Sequence, residues 1–237
     1  MIGAWCLGRI NSPLRFGRAP RLGNHLRRVA AERHRKRLSA TDVKALQQAL
    51  EMLQFVQKHR GLGGQRDASA ATQRLEMAGR LDRLWQEWKG DENRPAMRAL
   101  WQQVRQSPAD FEPHCILVEQ VLESIHVLEL RLAYQGNPQV TGLCETCRAL
   151  EDLGRLRGLA VRAANFDTCP LDMQIQMRYL CLRLADPIGD KTLSNLIEHL
   201  ERNLINASRI RLAPAESYAL ITPIIDKRLQ GIRHSIA

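Results

Sequence analysis

The sequence predicts an all-α fold of roughly eight antiparallel helices forming two packed up-and-down helical bundles. Three observations carry that expectation. The apolar side chains are aliphatic: 34 residues are Leu, against 4 Phe and 3 Tyr, whereas strands draw on β-branched and aromatic residues. The apolar positions recur at spacings of three and four, the period of a helix face. Gly and Pro clusters cut the chain into helix-length pieces joined by short breaks, as in antiparallel bundles.

Each element follows from that pattern. Residues 1–22, rich in Gly and Pro, read as an irregular arm. A helix is expected from about His25 to His59, with Ser39 or Thr41 as an alternative fresh start; Val43, Leu46, Leu50 and Leu53 form its seam, and Gly61, Gly63 and Gly64 end it. A second helix spans about Ala68 to Lys89, with Leu75, Ala78, Leu81, Leu84, Trp85 and Trp88 on one face, and Gly90-Asp91 closes it. Pro95 suits the first turn of a short helix reaching about Arg105. After Ser107-Pro108 a long helix runs to Tyr134, with Ile116, Leu117, Val121, Leu122, Ile125, Leu128 and Leu132 as its apolar positions, and Gly136-Asn137-Pro138 breaks it. In the second half, helices are expected at about Gln139–Asn165, from Pro170 to Asp186-Pro187, from Lys191 to Ala207, and from Pro214 to Arg233 with a kink at Pro223.

The net charge of +10 is unevenly distributed. Residues 1–37 hold ten Lys or Arg and one acid, a net +9; the remaining residues hold 25 basic and 24 acidic groups. The division expected is therefore 1–37, a basic N-terminal arm with the start of the first helix, and 38–237, an all-helical domain with bundle halves at about 38–135 and 138–237. A uniformly basic nucleic-acid surface does not fit this distribution, and nucleic acid is not an expected partner. The arm itself, through His25, Arg27, Arg28, His34, Arg35 and Arg37, is the one place that could hold nucleic acid or an anionic membrane surface. No run of 18 apolar residues occurs, so no membrane span is expected. The first twenty residues lack an apolar core and a cleavage site; their Arg-rich, acid-free character also fits a transit segment, and an early start or a plain solvated tail explains them as well. The protein is expected in the cytoplasm with reduced thiols.

One local pattern stands apart. Arg-Gly-Leu occurs at Arg60-Gly61-Leu62, at the end of the first core helix, and again at Arg157-Gly158-Leu159. Each Arg flanks an apolar stripe. Gly154 and Gly158 share a helix face around Arg157, and each Gly inside a helix costs about 1 kcal/mol relative to Ala, so close approach of another helix or of a small ligand should offset it. Guanidinium is permanently charged, and its planar fork matches planar oxyanions. Two such forks converging between helices would favour a small trigonal anion that joins them.

The segment Leu53-Gln54-Phe55-Val56-Gln57-Lys58-His59-Arg60-Gly61-Leu62 resembles the "LQ…ERGLS" segment of nitrate- and nitrite-sensing (NIT) domains, and Gly154-Arg155-Leu156-Arg157 resembles that family's later "G-x-E-R-A" element. The resemblance extends over most of residues 40–235. His59 and Leu156 stand where the family has Glu, Gly63 where it has Ser, and Gly158 where it has Ala. What the resemblance implies is a non-enzymatic bacterial sensor of nitrate or nitrite. Arg60 and Arg157 match the family's anion-binding arginines, and Gly61 and Gly154 are expected beside the ligand. The conformational change would pass to a protein partner or through a homodimer. The alternative expectation is a helical scaffold or adaptor that binds protein.

Other motifs carry less. Cys144-x-x-Cys147 lacks the second pair that zinc needs, and no strand precedes it as a redox motif requires; the cysteines read as small buried hydrophobes. The seven His are dispersed, and Gly61-Leu62-Gly63-Gly64 lacks the Lys of a phosphate loop. Trp85, Trp88 and Trp101 read as packing residues. No catalytic residue, metal site or cofactor is expected.

Overall fold

A computed structural model describes the backbone of residues 21–88, 94–185 and 190–236 and the side chains of 39–88, 95–185 and 190–236. The expected arm over most of 1–22, Cys6, the Gly90-Asp91 break, the Asp186-Pro187 terminus and the side chains of the basic arm lie outside the described residues. The chain divides into two compact units, Met1–Leu38 and Ser39–Ala237. Of the first unit, the described part is helical backbone from residue 21. Everything below concerns the second.

The fold is all-α: the described residues form eight α-helices and no strand. They are α1 (Arg21–Gly63), α2 (Ala68–Glu87), α3 (Arg94–Gln106), α4 (Phe111–Tyr134), α5 (Leu143–Ala163), α6 (Leu171–Leu184), α7 (Lys191–Leu200) and α8 (Pro214–Ser235). A 3-10 turn, Pro138–Val140, precedes α5, and a π-helical turn, Glu201–Ile205, extends α7.

Local chemistry sets the ends. Asp67 caps α2 by accepting a 2.8 Å hydrogen bond from the Ala70 amide, and Asp190 caps α7 by accepting from Thr192 and Leu193. The start of α5 is capped from another helix: the Glu129 carboxylate accepts from the amides of Gly142 at 2.6 Å and Cys144 at 2.8 Å. Gly142 sits at φ 81°, a left-handed conformation that favours glycine. Several boundaries differ from the expectation: α5 begins at Leu143, after a separate 3-10 turn, and α7 gives way to the π-helical turn at Glu201. α1 continues through Gly61 to Gly63, because a helical glycine there lets neighbouring elements approach; a Cβ on Gly63 would lie 1.9 Å from the Pro108 carbonyl oxygen. α8 runs through Pro223 to Ser235.

Buried side chains from all eight helices merge into one continuous hydrophobic core within the second unit. The central element is α5, which packs against α4, α6 and α8, and 14 of its 21 residues are buried. Trp85, Trp88 and Trp101 lie inside that core with Cys144, Cys147, Cys169 and Cys181, and these cysteines and the buried Cys115 are free thiols. Leu75 and Ile116, expected on the inner faces, are instead 75% and 45% exposed; their neighbours at helical spacing already fill the core side of α2 and α4. No helix among the described residues is long and apolar enough to cross a membrane.

Candidate functional site

The last turns of α1 cross the middle of α5, and both Arg-Gly-Leu segments lie at that crossing. Arg60 and Arg157 are among the largest fully buried side chains of the protein, at 1% and 0% exposure. Glycine makes this approach possible, reciprocally. A Cβ on Gly61 of α1 would lie 3.0 Å from Nε of Arg157 and 2.9 Å from the Tyr218 ring, and a Cβ on Gly154 of α5 would lie 3.1 Å from Nη2 of Arg60. Gly158 serves a different neighbour: a Cβ there would sit 2.6 Å from the Phe111 ring. The glycines that cost α5 helical propensity thus admit Arg60, Gln57 and Phe111 against its backbone.

The two arginines have unlike surroundings. The fork of Arg60 is filled by Glu151, with Nη1 donating to Oε1 at 2.6 Å and Nη2 to Oε2 at 2.9 Å. Gln57 donates to the same carboxylate at 2.8 Å, and the Cys115 sulfur accepts from Arg60 Nη1 at 3.3 Å. Burial alone would lower the Arg60 pKa; the charge and hydrogen bonds of Glu151 outweigh it and raise the value. The ring of Phe111 stacks on both Arg60 and Arg162, each 5.3 Å from its centroid.

Arg157 has no such carboxylate. Among the described residues its partners are the Thr222 hydroxyl, which accepts from Nη1 at 3.1 Å, and the face of Tyr218, 4.8 Å away. Both come from α8. Nε and Nη2 are buried without a hydrogen-bond partner. These two nitrogens form one whole edge of the guanidinium, the edge that a planar oxyanion grips with two parallel bonds. Burial, with Arg60 nearby as a like charge, pulls the Arg157 pKa down from its usual value. Tyr218 is itself pushed up by burial, so it faces Arg157 as a neutral phenol.

A neutral polar pair adjoins the site. His114 Nδ1 lies 2.6 Å from the Asp110 carbonyl, and its Nε2 lies 2.8 Å from Nδ1 of His59. The carbonyl can only accept, so His114 carries its proton on Nδ1, and its bare Nε2 accepts a hydrogen bond from the Nδ1–H of His59. Burial lowers the His59 pKa to about 4 and that of His114 to about 3.

The structure therefore brings together the four residues singled out from sequence, Arg60, Arg157, Gly61 and Gly154, but corrects how they meet. The expected single ion shared by both forks does not describe this geometry, because Glu151 already occupies Nη1 and Nη2 of Arg60 within the core, leaving only Arg60 Nε buried without a hydrogen-bond partner. Sequence reasoning did not place Tyr218, Thr222, Phe111 and His114 at the site. The i, i+4 spacing of Tyr218 and Thr222 was visible, but nothing local announces that α8 packs on α5. The described residues also hold one cluster with metal-ligand chemistry, His126, Glu129 and Cys144, within 4.8 Å of one another; both Glu129 oxygens already cap α5.

Comparisons with protein-family models, with curated proteins and with solved structures find no match to this chain.

Proposed function

We propose that this protein is a non-enzymatic sensor of a small planar oxyanion, of the nitrate or nitrite class, held by Arg157 between α1, α5 and α8. The single observation that carries the reading is a guanidinium at 0% exposure with no carboxylate partner among the described residues and with Nε and Nη2 both unsatisfied. An uncompensated buried charge costs several kcal/mol. The Tyr218 face returns about 2 kcal/mol at most, and the Thr222 bond about 1.5–3 kcal/mol. An anion on the free edge adds two further charge-assisted bonds and cancels the charge. The resemblance of the Arg60 and Arg157 segments to NIT domains supports the same ligand class.

In this reading Glu151 and Gln57 hold Arg60 as a fixed strut, and Gly61 keeps side-chain bulk away from the open edge of Arg157. The site is enclosed, so an ion enters only when α1, α5 and α8 part slightly. Binding then favours the arrangement in which all three helices contact the ion, a population shift set by the ligand's preference for that state. The output passes to a protein partner.

Thermal unfolding in nitrate, nitrite, sulfate and chloride tests this. At one hundred times its dissociation constant a ligand adds about 2.7 kcal/mol, which in a domain of this size raises Tm by about 5–10 °C. Nitrate or nitrite should produce that shift selectively, and Arg157→Met should abolish it. Equal responses to all four salts would refute the proposal.

A further inference from the structure

The outer face of α6 carries an unbroken apolar stripe. Its inner face buries Met177, Leu180, Cys181 and Leu184. On the opposite side Leu171, Ile175, Tyr179 and Leu182 follow at spacings of four, four and three, and they are 71%, 60%, 58% and 76% exposed. Four large apolar side chains, each more than half exposed and lined up along one helix, differ from singly scattered surface residues; contiguous patches of this kind mark interaction sites. We infer that α6 is a homodimer interface, in which the stripe pairs antiparallel with the α6 stripe of a second copy.

The pattern selects the occupant, because the stripe complements its own reverse. A two-fold axis near the level of Met177 sets Ile175 opposite Tyr179 of the second copy, and Leu171 within one residue's rise, about 1.5 Å, of Leu182. The charges agree with this register. Asp172 and Arg183 are eleven residues apart, about three helical turns, so they lie on the same flank of the stripe. Reversal places Asp172 of each copy beside Arg183 of the other, twice over. Both side chains are exposed. Arg183 already reaches Asp152 at 3.0 Å, leaving further N–H groups of its fork for a second carboxylate. Arg178, on the other flank near the axis, is drawn back by the Asn206 side-chain oxygen at 2.5 Å. A parallel two-fold pairing would instead put the two Asp172–Arg183 flanks on opposite sides of the seam and bring none of these charges together.

Sedimentation of the full chain from about 1 to 100 µM, the range of ordinary homodimers, tests the inference. The protein should be dimeric. Ile175→Asp, or Leu182→Glu if the first variant fails to fold, should raise the dissociation constant by about ten- to a hundredfold. Leu130→Asp, at an exposed apolar position on α4, should leave it unchanged. Asp172→Arg and Arg183→Asp should each weaken self-association, and mixing the two singly substituted proteins should restore it, since that heterodimer has two opposite-charge pairs. A protein that stays monomeric throughout, an Ile175→Asp protein that stays dimeric, or a mixture no tighter than either variant alone would overturn the proposal.

Discussion

Arg60 and Arg157 show how two identical side chains, equally buried, acquire different meanings from their neighbours. Removing a carboxylate from Arg60 strands a charge in the core. Glu151→Gln should therefore cost about 3–5 kcal/mol, read as a fall in the urea midpoint. Removing Arg157 deletes a charge that has no carboxylate to lose, so Arg157→Met should be neutral or stabilising without ligand, while abolishing the anion response. The His59–His114 pair makes a third prediction at this scale. In the unfolded chain both titrate near the ordinary histidine value; in the folded protein they stay neutral down to about 4 and about 3. As pH falls below about 6.5 the unfolded state takes up protons that the native state refuses. The stability held at neutral pH is then lost progressively down to those lower values. Urea titrations at pH 7 and pH 5 should show the difference, and replacing both His by apolar residues should flatten it. The sequence marked the two arginines through their repeated Arg-Gly-Leu setting. It did not reveal which would be paired, because Glu151 lies 91 positions from Arg60 and that meeting exists only in the folded chain.

At the scale of elements, α5 carries conflicting local demands. A helix interior disfavours Gly, yet Gly154 and Gly158 both face packed neighbours. Gly79, in α2, has nothing within 4 Å of where a Cβ would stand. Gly79→Ala should therefore stabilise by about 0.5–1 kcal/mol. Gly158→Ala should destabilise by about 1–3 kcal/mol, because its methyl would meet the Phe111 ring and overpacking outweighs the gain in propensity. Thermal midpoints of the two variants should move in opposite directions. The eight α-helices were legible from apolar spacing together with Gly and Pro breaks, with Pro95 rather than a Leu stripe marking α3. The ends were less so: α1 passes two residues beyond its first glycine terminator, because tertiary packing at Gly61 and Gly63 overrides the usual role of glycine as a stop. The exposure of Leu75 and Ile116 has the same origin, since periodicity locates a stripe but not its edges.

At the scale of the whole molecule, charge and fold are separable. Residues 1–37 carry nearly all the net positive charge, while the core formed by the described residues runs from Ala45 onward. A chain lacking residues 1–37 should keep its anion-induced rise in Tm, and should lose any salt-sensitive binding to a polyanion such as heparin. The expectation of roughly eight helices matches the described residues, and their core draws on both halves of the second unit, a long-range arrangement that local periodicity does not encode. One further property follows from the neighbourhood of Arg60. The indole of Trp101 meets the His59 imidazole edge-on at 5.3 Å, so a natural fluorophore stands one residue away from the proposed strut. Its emission would brighten or dim as the imidazole shifts, giving the protein an optical gauge of its own interior that requires no dye.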